Sequence, residues 1–219
     1  MPSIRRKQMI RAVKWSSLFF VGFIVVTQQV LTNGPLIALD ARIANAKRID
    51  FAPWIDFILM RIDDLGLRGL TATALLVAAI YIARRFKTWR PLNLAILSII
   101  VLNLIVGLAK LLIGRTKPLL NVDLIYAGGL SYPSGHASNA ILSWGVLAYL
   151  IYRYAHVDRY RGRLASAGVA LISVSVCVVS LIRNTHWLSD LVGGLFIGAA
   201  LLVMVIAIDR FVTSNSQLS

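Results

Sequence analysis

Six runs along the chain are apolar enough and long enough to cross a bilayer, at 15–31, 65–83, 91–113, 134–154, 164–182 and 187–208. The breaks between them carry their own signals. Asn33-Gly34-Pro35 ends the first run, Pro91 opens the third, and the Gly, Pro and polar content of 114–132 marks a loop. Between the first two runs the chain is mixed in polarity. Trp54, Ile55, Ile58, Leu59 and Ile62 recur there at helical spacing, with Asp56, Arg61 and Asp63 elsewhere on the wheel. That pattern predicts an amphipathic helix lying in the membrane interface, with an extramembrane loop packed on the bundle as the competing reading. The expected fold is therefore an all-α membrane protein, a single domain over 1–219, with six transmembrane helices and one interfacial segment.

Composition agrees with this. Hydrophobic residues make up 58% and charged residues 15% of the chain, and mean hydropathy is +0.76, which excludes an ordinary soluble domain. The net charge of +14 raises nucleic acid as a partner. No soluble basic domain exists to serve one, and the basic residues sit in short clusters between apolar runs, so the lipid bilayer is the expected partner and nucleic acid is not. All nine acidic residues are aspartate. Cys177 is the sole cysteine, which rules out an intrachain disulfide.

Charge also orients the spans. Arg5, Arg6, Lys7, Arg11 and Lys14 precede the first span; Arg84, Arg85, Lys87 and Arg90 follow the second; Arg153, Arg159, Arg161 and Arg163 follow the fourth. The positive-inside bias assigns these regions and both termini to the cytoplasm. An N-terminal signal peptide is the rival for the first span, but no small-residue cleavage pattern follows it. Polar residues outside the clusters gather on the other face, around 110–136 and 183–190.

Three pieces meet there. Lys110 lies on the apolar stretch 107–113, where an ammonium needs an anionic partner or must snorkel; Arg115 and Lys117-Pro118 follow. Pro133-Ser134-Gly135-His136 ends a loop where a long apolar run begins, so Ser134 falls at an N-cap. Gly135 leaves the first-turn N–H groups open to an oxyanion, with His136 beside it as a proton donor. His186 and Asp190 are four residues apart, so on a helix the carboxylate accepts the imidazole N–H and fixes its tautomer. Two histidines and a carboxylate can also hold a metal, but the neighbouring lysines repel a cation and attract a phosphate, so no metal or other cofactor is expected.

These residues resemble the type-2 phosphatidic acid phosphatase superfamily, membrane phosphatases that share an active-site core with vanadium haloperoxidases. The family pattern is Lys-x6-Arg-Pro, then Pro-Ser-Gly-His, then Ser-Arg-x5-His-x3-Asp. The second block is intact at 133–136 and the His-x3-Asp half of the third at His186 and Asp190. The first block reads Lys110 to Pro118 with Lys117 in place of arginine, and Ser180 stands where the third block has arginine. On a continuing helix Arg183 would lie about 4.5 Å along the axis from that position, near enough to replace it.

The resemblance implies metal-independent hydrolysis of a lipid phosphate or diphosphate at the outer face of a bacterial plasma membrane. His186 would be the nucleophile, Asp190 its orienting partner and His136 the acid and base; Lys110, Lys117, Ser134, Gly135 and Arg183 would bind phosphate. Arg115 would bind a second phosphate or lipid headgroups. Implied substrates are polyprenyl diphosphate, phosphatidylglycerophosphate, phosphatidic acid and lipid A. A lipid phosphotransferase using the same site, and a catalytically silent lipid-binding scaffold, are the alternatives.

Overall fold

The structure, a computed structural model, describes residues 2–118, 123–155 and 158–215; residues 119–122 of the expected loop and 156–157 of the basic connector lie outside this set. The described residues form eight helices: α1 (Pro2–Leu31), α2 (Pro35–Ala44), α3 (Pro53–Asp64), α4 (Arg68–Arg85), α5 (Arg90–Ile113), α6 (Gly135–Tyr154), α7 (Arg159–Ile182) and α8 (Leu188–Asn215).

Local chemistry sets most of these boundaries. Pro35, Pro53 and Pro91 stand in the first turns of α2, α3 and α5, where a missing N–H costs nothing. Gly114 closes α5 in the left-handed conformation, φ 58°. Ser134 caps α6 by accepting from the Ala137 N–H, and Asp158 caps α7 by accepting from the Arg161 N–H. The apolar runs mark the hydrocarbon layer rather than the helix ends. α1 therefore continues back through the basic N-terminal cluster to Pro2, α7 starts at Arg159 rather than 164, and α8 runs on to Asn215. Lysine and arginine are good helix formers and do not end a helix.

By length and apolarity four helices suffice to cross a membrane: α1, α5, α7 and α8. α3 and α4 meet that standard only as a pair bent by 54°, which makes five. α6 falls short of it. The reason is its position: α6 packs against α4, α5, α7 and α8, and it turns Ser138, Asn139 and Ser143 into those contacts instead of toward lipid. Apolarity alone thus does not deliver the expected count of six. The expected interfacial segment is two helices, and the amphipathic α3 leaves Trp54, Phe57 and Ile58 exposed while its other side meets α7.

The core sits where α4, α5, α6 and α8 converge on Leu75, Leu102, Leu142, Val146 and Ile197. A second apolar cluster, Val26, Val30, Ile113 and Tyr132, joins α1 to the loop before α6. α1 is tied in by polar contacts as well: Ser16 donates to the Ala200 carbonyl at 2.9 Å, and Thr27 and the Tyr132 hydroxyl share a 2.7 Å hydrogen bond. Exposed Leu18, Val21, Ile100, Leu104, Leu171 and Val174 form the apolar outer surface that a bilayer covers. Asn103 of α5 accepts from Arg68 of α4 at 3.1 Å.

Two glycines bring α8 against α6. A Cβ at Gly194 would lie 2.5 Å from the Ser134 carbonyl oxygen, and one at Gly198 would lie 2.4 Å from Ile141 and 2.9 Å from the Ser138 carbonyl. The small-xxx-small pair is a packing face inside the bundle. Gly198→Ala is expected to destabilise the fold by about 1–3 kcal/mol through overpacking. Gly107→Ala on α5, where nothing lies within 4 Å, should be neutral. Thermal unfolding of both variants in detergent checks the contrast.

Candidate active site

The site forms where four chain segments end on one side of the bundle: the C-terminus of α5, the N-terminus of α6, the turn after α7 and the N-terminus of α8. His136 sits in the first turn of α6. His186 sits in the turn between α7 and α8, not on a helix as its spacing to Asp190 suggested. The two imidazoles face each other with ring centroids 6.1 Å apart and planes at 58°. That separation leaves both rings within reach of one phosphate group.

Asp190 still pairs with His186, although the helix starts only at Leu188. Its Oδ2 lies 3.4 Å from His186 Nδ1 and accepts from the Trp187 N–H at 3.2 Å. The second contact ties the first turn of α8 back on itself as a capping-box carboxylate does. Ser131 donates to the same carboxylate oxygen, and its hydroxyl is 3.5 Å from His186 Nδ1. The Ser134 N–H donates to the Asp190 carbonyl at 2.8 Å, which joins the loop directly to α8.

Lys110 donates to the Leu130 carbonyl and lies 3.5 Å from that of Ser131, so its ammonium is held at the loop rather than drawn out to headgroups. Lys117 is exposed, and both lysines lie within electrostatic reach of His136. Gly135 is open, with nothing within 4 Å of where a Cβ would stand. Ser134 is buried, its hydroxyl engaged with the Ala137 N–H at 3.3 Å.

Arg115 has a different place from the one expected. Its side chain is fully buried and every donor nitrogen is taken. Nε donates to Asp123 at 2.7 Å, Nη1 to Ser189 at 2.6 Å and Asp190 at 2.9 Å, and Nη2 to Asp40 at 2.8 Å and Asp123 at 2.6 Å. Three carboxylates and the Ser189 hydroxyl thus occupy its donors. Burial works against its charge, but Asp123, Asp190 and Asp40 outweigh that and push its pKa up. Burial also raises the Asp40 carboxyl above the usual range, against the hydrogen bonds from Ser189 and Arg115.

Arg183 stands at the C-terminal end of α7. α7 ends at Ile182, and Arg183 keeps right-handed helical geometry at its C-cap, its N–H donating to the Val179 carbonyl at 2.9 Å, before the chain turns through Asn184 at φ 56°. Arg183 Nε lies 3.9 Å from Asp56 Oδ1 on α3. Arg48 fixes this turn by donating to the Leu181 carbonyl and to Asn184 Oδ1, both at 2.8 Å. Ser180, in the position of the missing arginine, donates to Asp63 Oδ1 at 2.7 Å.

Asp63 is one of several participants that the motifs did not point to. It interacts electrostatically with His136, and three residues on, Gly66 packs so closely on α6 that a Cβ would be 2.8 Å from the His136 carbonyl. Asp40, Asp123, Ser131 and Ser189 were missed as well. The available signal was the scarcity of acids: with only nine in a basic chain, Asp40, Asp63, Asp123 and Asp190 each had to be matched to a partner.

The profile of the PAP2 superfamily matches residues 91–213, more than half of the chain. Phosphatidylglycerophosphatase B of Bacillus subtilis (strain 168) is 24% identical over 191 residues, covering 87% of this chain and 93% of that protein. The crystal structure of a transmembrane PAP2-type phosphatidylglycerolphosphate phosphatase from Bacillus subtilis superposes with a TM-score of 0.79 at 22% identity, covering 90% of this chain and 96% of the other. The fold is therefore shared across nearly the whole length.

Replacing Arg115 with alanine would leave Asp40 and Asp190 buried without a counter-charge, so Arg115→Ala is expected to lower stability by about 3–5 kcal/mol. Thermal unfolding of the purified protein checks this; an unchanged midpoint with only a raised KM would return Arg115 to phosphate binding.

Proposed function

The chain belongs to the PAP2 superfamily, and on that premise we propose that it hydrolyses a lipid phosphate through a phosphohistidine intermediate, without a metal. The observation that carries the proposal is the opposed histidine pair, 6.1 Å between ring centroids, with Lys110 and Lys117 alongside. In this mechanism Asp190 accepts the Nδ1 proton of His186, which leaves the Nε2 lone pair free to attack phosphorus. The phosphorus–oxygen bond to the lipid breaks, and protonated His136 gives its proton to the departing oxygen. Water then attacks the phosphohistidine while His136 takes a proton from it; phosphate leaves and His186 is restored.

The lysines and the first-turn N–H groups of α6 around Gly135 would offset the charge on the equatorial oxygens, where most of the catalysis of phosphoryl transfer lies. Ser134 supports that turn as a cap. Ser131 and Arg115 act on the nucleophile through Asp190. Phosphatidylglycerophosphate is the substrate favoured by likeness to the Bacillus subtilis enzyme; polyprenyl diphosphate, phosphatidic acid and lipid A belong in the same assay.

The basic clusters at the N-terminus, after α4 and around the start of α7 favour a cytoplasmic location for that end of the bundle. The histidine pair would then face outward, the chain would cross the plasma membrane six times with α3 in the interface, and both termini would be cytoplasmic.

The test is a release assay over those four lipids with chelator present, combined with acid-labile, base-stable labelling from substrate carrying radioactive phosphate. Label is expected on the wild type and absent from His186→Ala, with phosphate release reduced at least about 10³-fold in the variant. Undiminished release by His186→Ala would overturn the mechanism. Transfer of label to a lipid acceptor instead of water would make the protein a phosphotransferase. Lys117→Ala is expected to raise KM more than it lowers kcat, which the same assay measures.

A further inference from the structure

A cavity of about 650 Å³ opens between α6, α7 and α8 at the end of the bundle away from the histidines. Tyr152 at its mouth is sixteen residues along α6 from His136, roughly 24 Å at 1.5 Å per residue. The cavity exists because α7 and α8 each lie on α6 yet barely touch one another. Glycines set both contacts: a Cβ at Gly145 would meet Leu202 of α8 at 2.5 Å, and one at Gly162 of α7 would meet the Tyr152 ring at 2.8 Å. The two helices are drawn onto α6 at different points, and α6 floors the crevice left between them.

Its walls are apolar, among them Ile141, Ala148, Val169 and Leu202, and its mouth carries Arg159, Arg163 and Arg210. From Tyr152 down to Ile141 the crevice follows α6 for about 16 Å, close to half of the ~30 Å hydrocarbon thickness of a bilayer. It therefore has the depth of one leaflet, and its volume lies within the ~300–1,000 Å³ of ordinary ligand pockets.

The charge at the mouth is unbalanced. Asp209 is taken by Arg153 and by the Tyr149 hydroxyl at 2.7 Å, and Asp158 is occupied by the Arg161 N–H at 2.8 Å and the Arg161 side chain at 3.7 Å. Arg210 lies over the Tyr149 ring at 5.4 Å, a contact that leaves its charge uncompensated. Arg159, Arg163 and Arg210 have no carboxylate within salt-bridge distance among the described residues.

We propose that this crevice is a binding site for one anionic phospholipid of the leaflet opposite the histidine pair, with an acyl chain between α7 and α8 and the phosphate against Arg159, Arg163 and Arg210. A water-soluble phosphate would leave the apolar walls unused, and a zwitterionic lipid would place an ammonium among three guanidinium groups. The site is independent of the phosphatase chemistry.

Native mass spectrometry of the full-length protein tests this, with phosphatidylglycerol and phosphatidylcholine of identical acyl chains. One phosphatidylglycerol is expected to be retained at least about tenfold more strongly than phosphatidylcholine, and glycerol phosphate should not displace it. The triple variant Arg159→Gln/Arg163→Gln/Arg210→Gln should weaken phosphatidylglycerol retention by about 10- to 100-fold and leave phosphatidylcholine unchanged. Ala170→Trp, which fills the crevice from α7, should weaken both. Equal retention of the two lipids by the wild type overturns the proposal without recourse to any variant. So does wild-type retention by the triple variant, or loss of phosphatidylglycerol from Lys110→Gln/Lys117→Gln instead.

Discussion

A guanidinium with no exposed surface governs the arrangement of this site. Arg115 leaves the end of α5 and is met by Asp40 from α2, Asp123 from the loop, and Ser189 and Asp190 from α8. Taking such a charge out of water is costly, and only complete pairing offsets it. The segments carrying those partners are therefore bound to one another as tightly as to Arg115. Trp187 adds to the lock, with its ring 5.1 Å from the guanidinium carbon and its Nε1–H donating to the Thr116 carbonyl at 2.8 Å. Asp190 stands in the middle. One oxygen faces Arg115, the other faces Ser131 and His186, so Asp190 passes the constraint of the buried charge cluster on to the imidazole.

Steric closeness does what charge cannot. Gly194 and Gly198 bring α8 onto α6, and Gly66 seats the α3–α4 bend against His136. The first contact sets how far His136 stands from His186; the second sets how deeply the amphipathic α3 reaches. Each is an approach of backbone to backbone, a distance that no side chain can hold open by a rotamer change. Ordinary core packing among Leu75, Leu102, Leu142 and Ile197 holds the helices together, while the glycines determine their spacing at the site.

How much of this the sequence discloses depends on the range of the interaction. His136, with its Ser134 cap, and the His186–Asp190 pair rest on contacts within four residues, and local spacing reveals them. The apolar runs locate the helices, and the wheel of 54–62 identifies α3 as amphipathic. The setting of Arg115 was not legible, because its partners come from positions 40, 123, 189 and 190 and no local pattern records that meeting. Arg183 keeps its helical position at the end of α7, and what local spacing does not disclose is the nearby carboxylate of Asp56, 3.9 Å away on α3. α6 shows the converse limit, since a helix surrounded by other helices need not be apolar, and hydropathy then understates it.

The cations of this site fall into two groups by chemistry. Arginine presents a rigid fork of donors suited to carboxylates at fixed angles, and Arg115 is consumed by three of them. What remains beside the hollow is lysine: Lys110, held by carbonyl oxygens of the loop, and exposed Lys117. Ser180, bonded to Asp63, brings a carboxylate toward His136 where an arginine would have brought a cation. Two ammonium groups attract a phosphate as point charges and impose little angular preference, so orientation falls to the backbone N–H groups at the start of α6. Those are fixed by the Ser134 cap and by the hydrogen bond from Ser134 to the Asp190 carbonyl. The proposed anion site would thus be oriented by the same segment that Arg115 holds, its geometry following from the buried charge cluster rather than from the lysines.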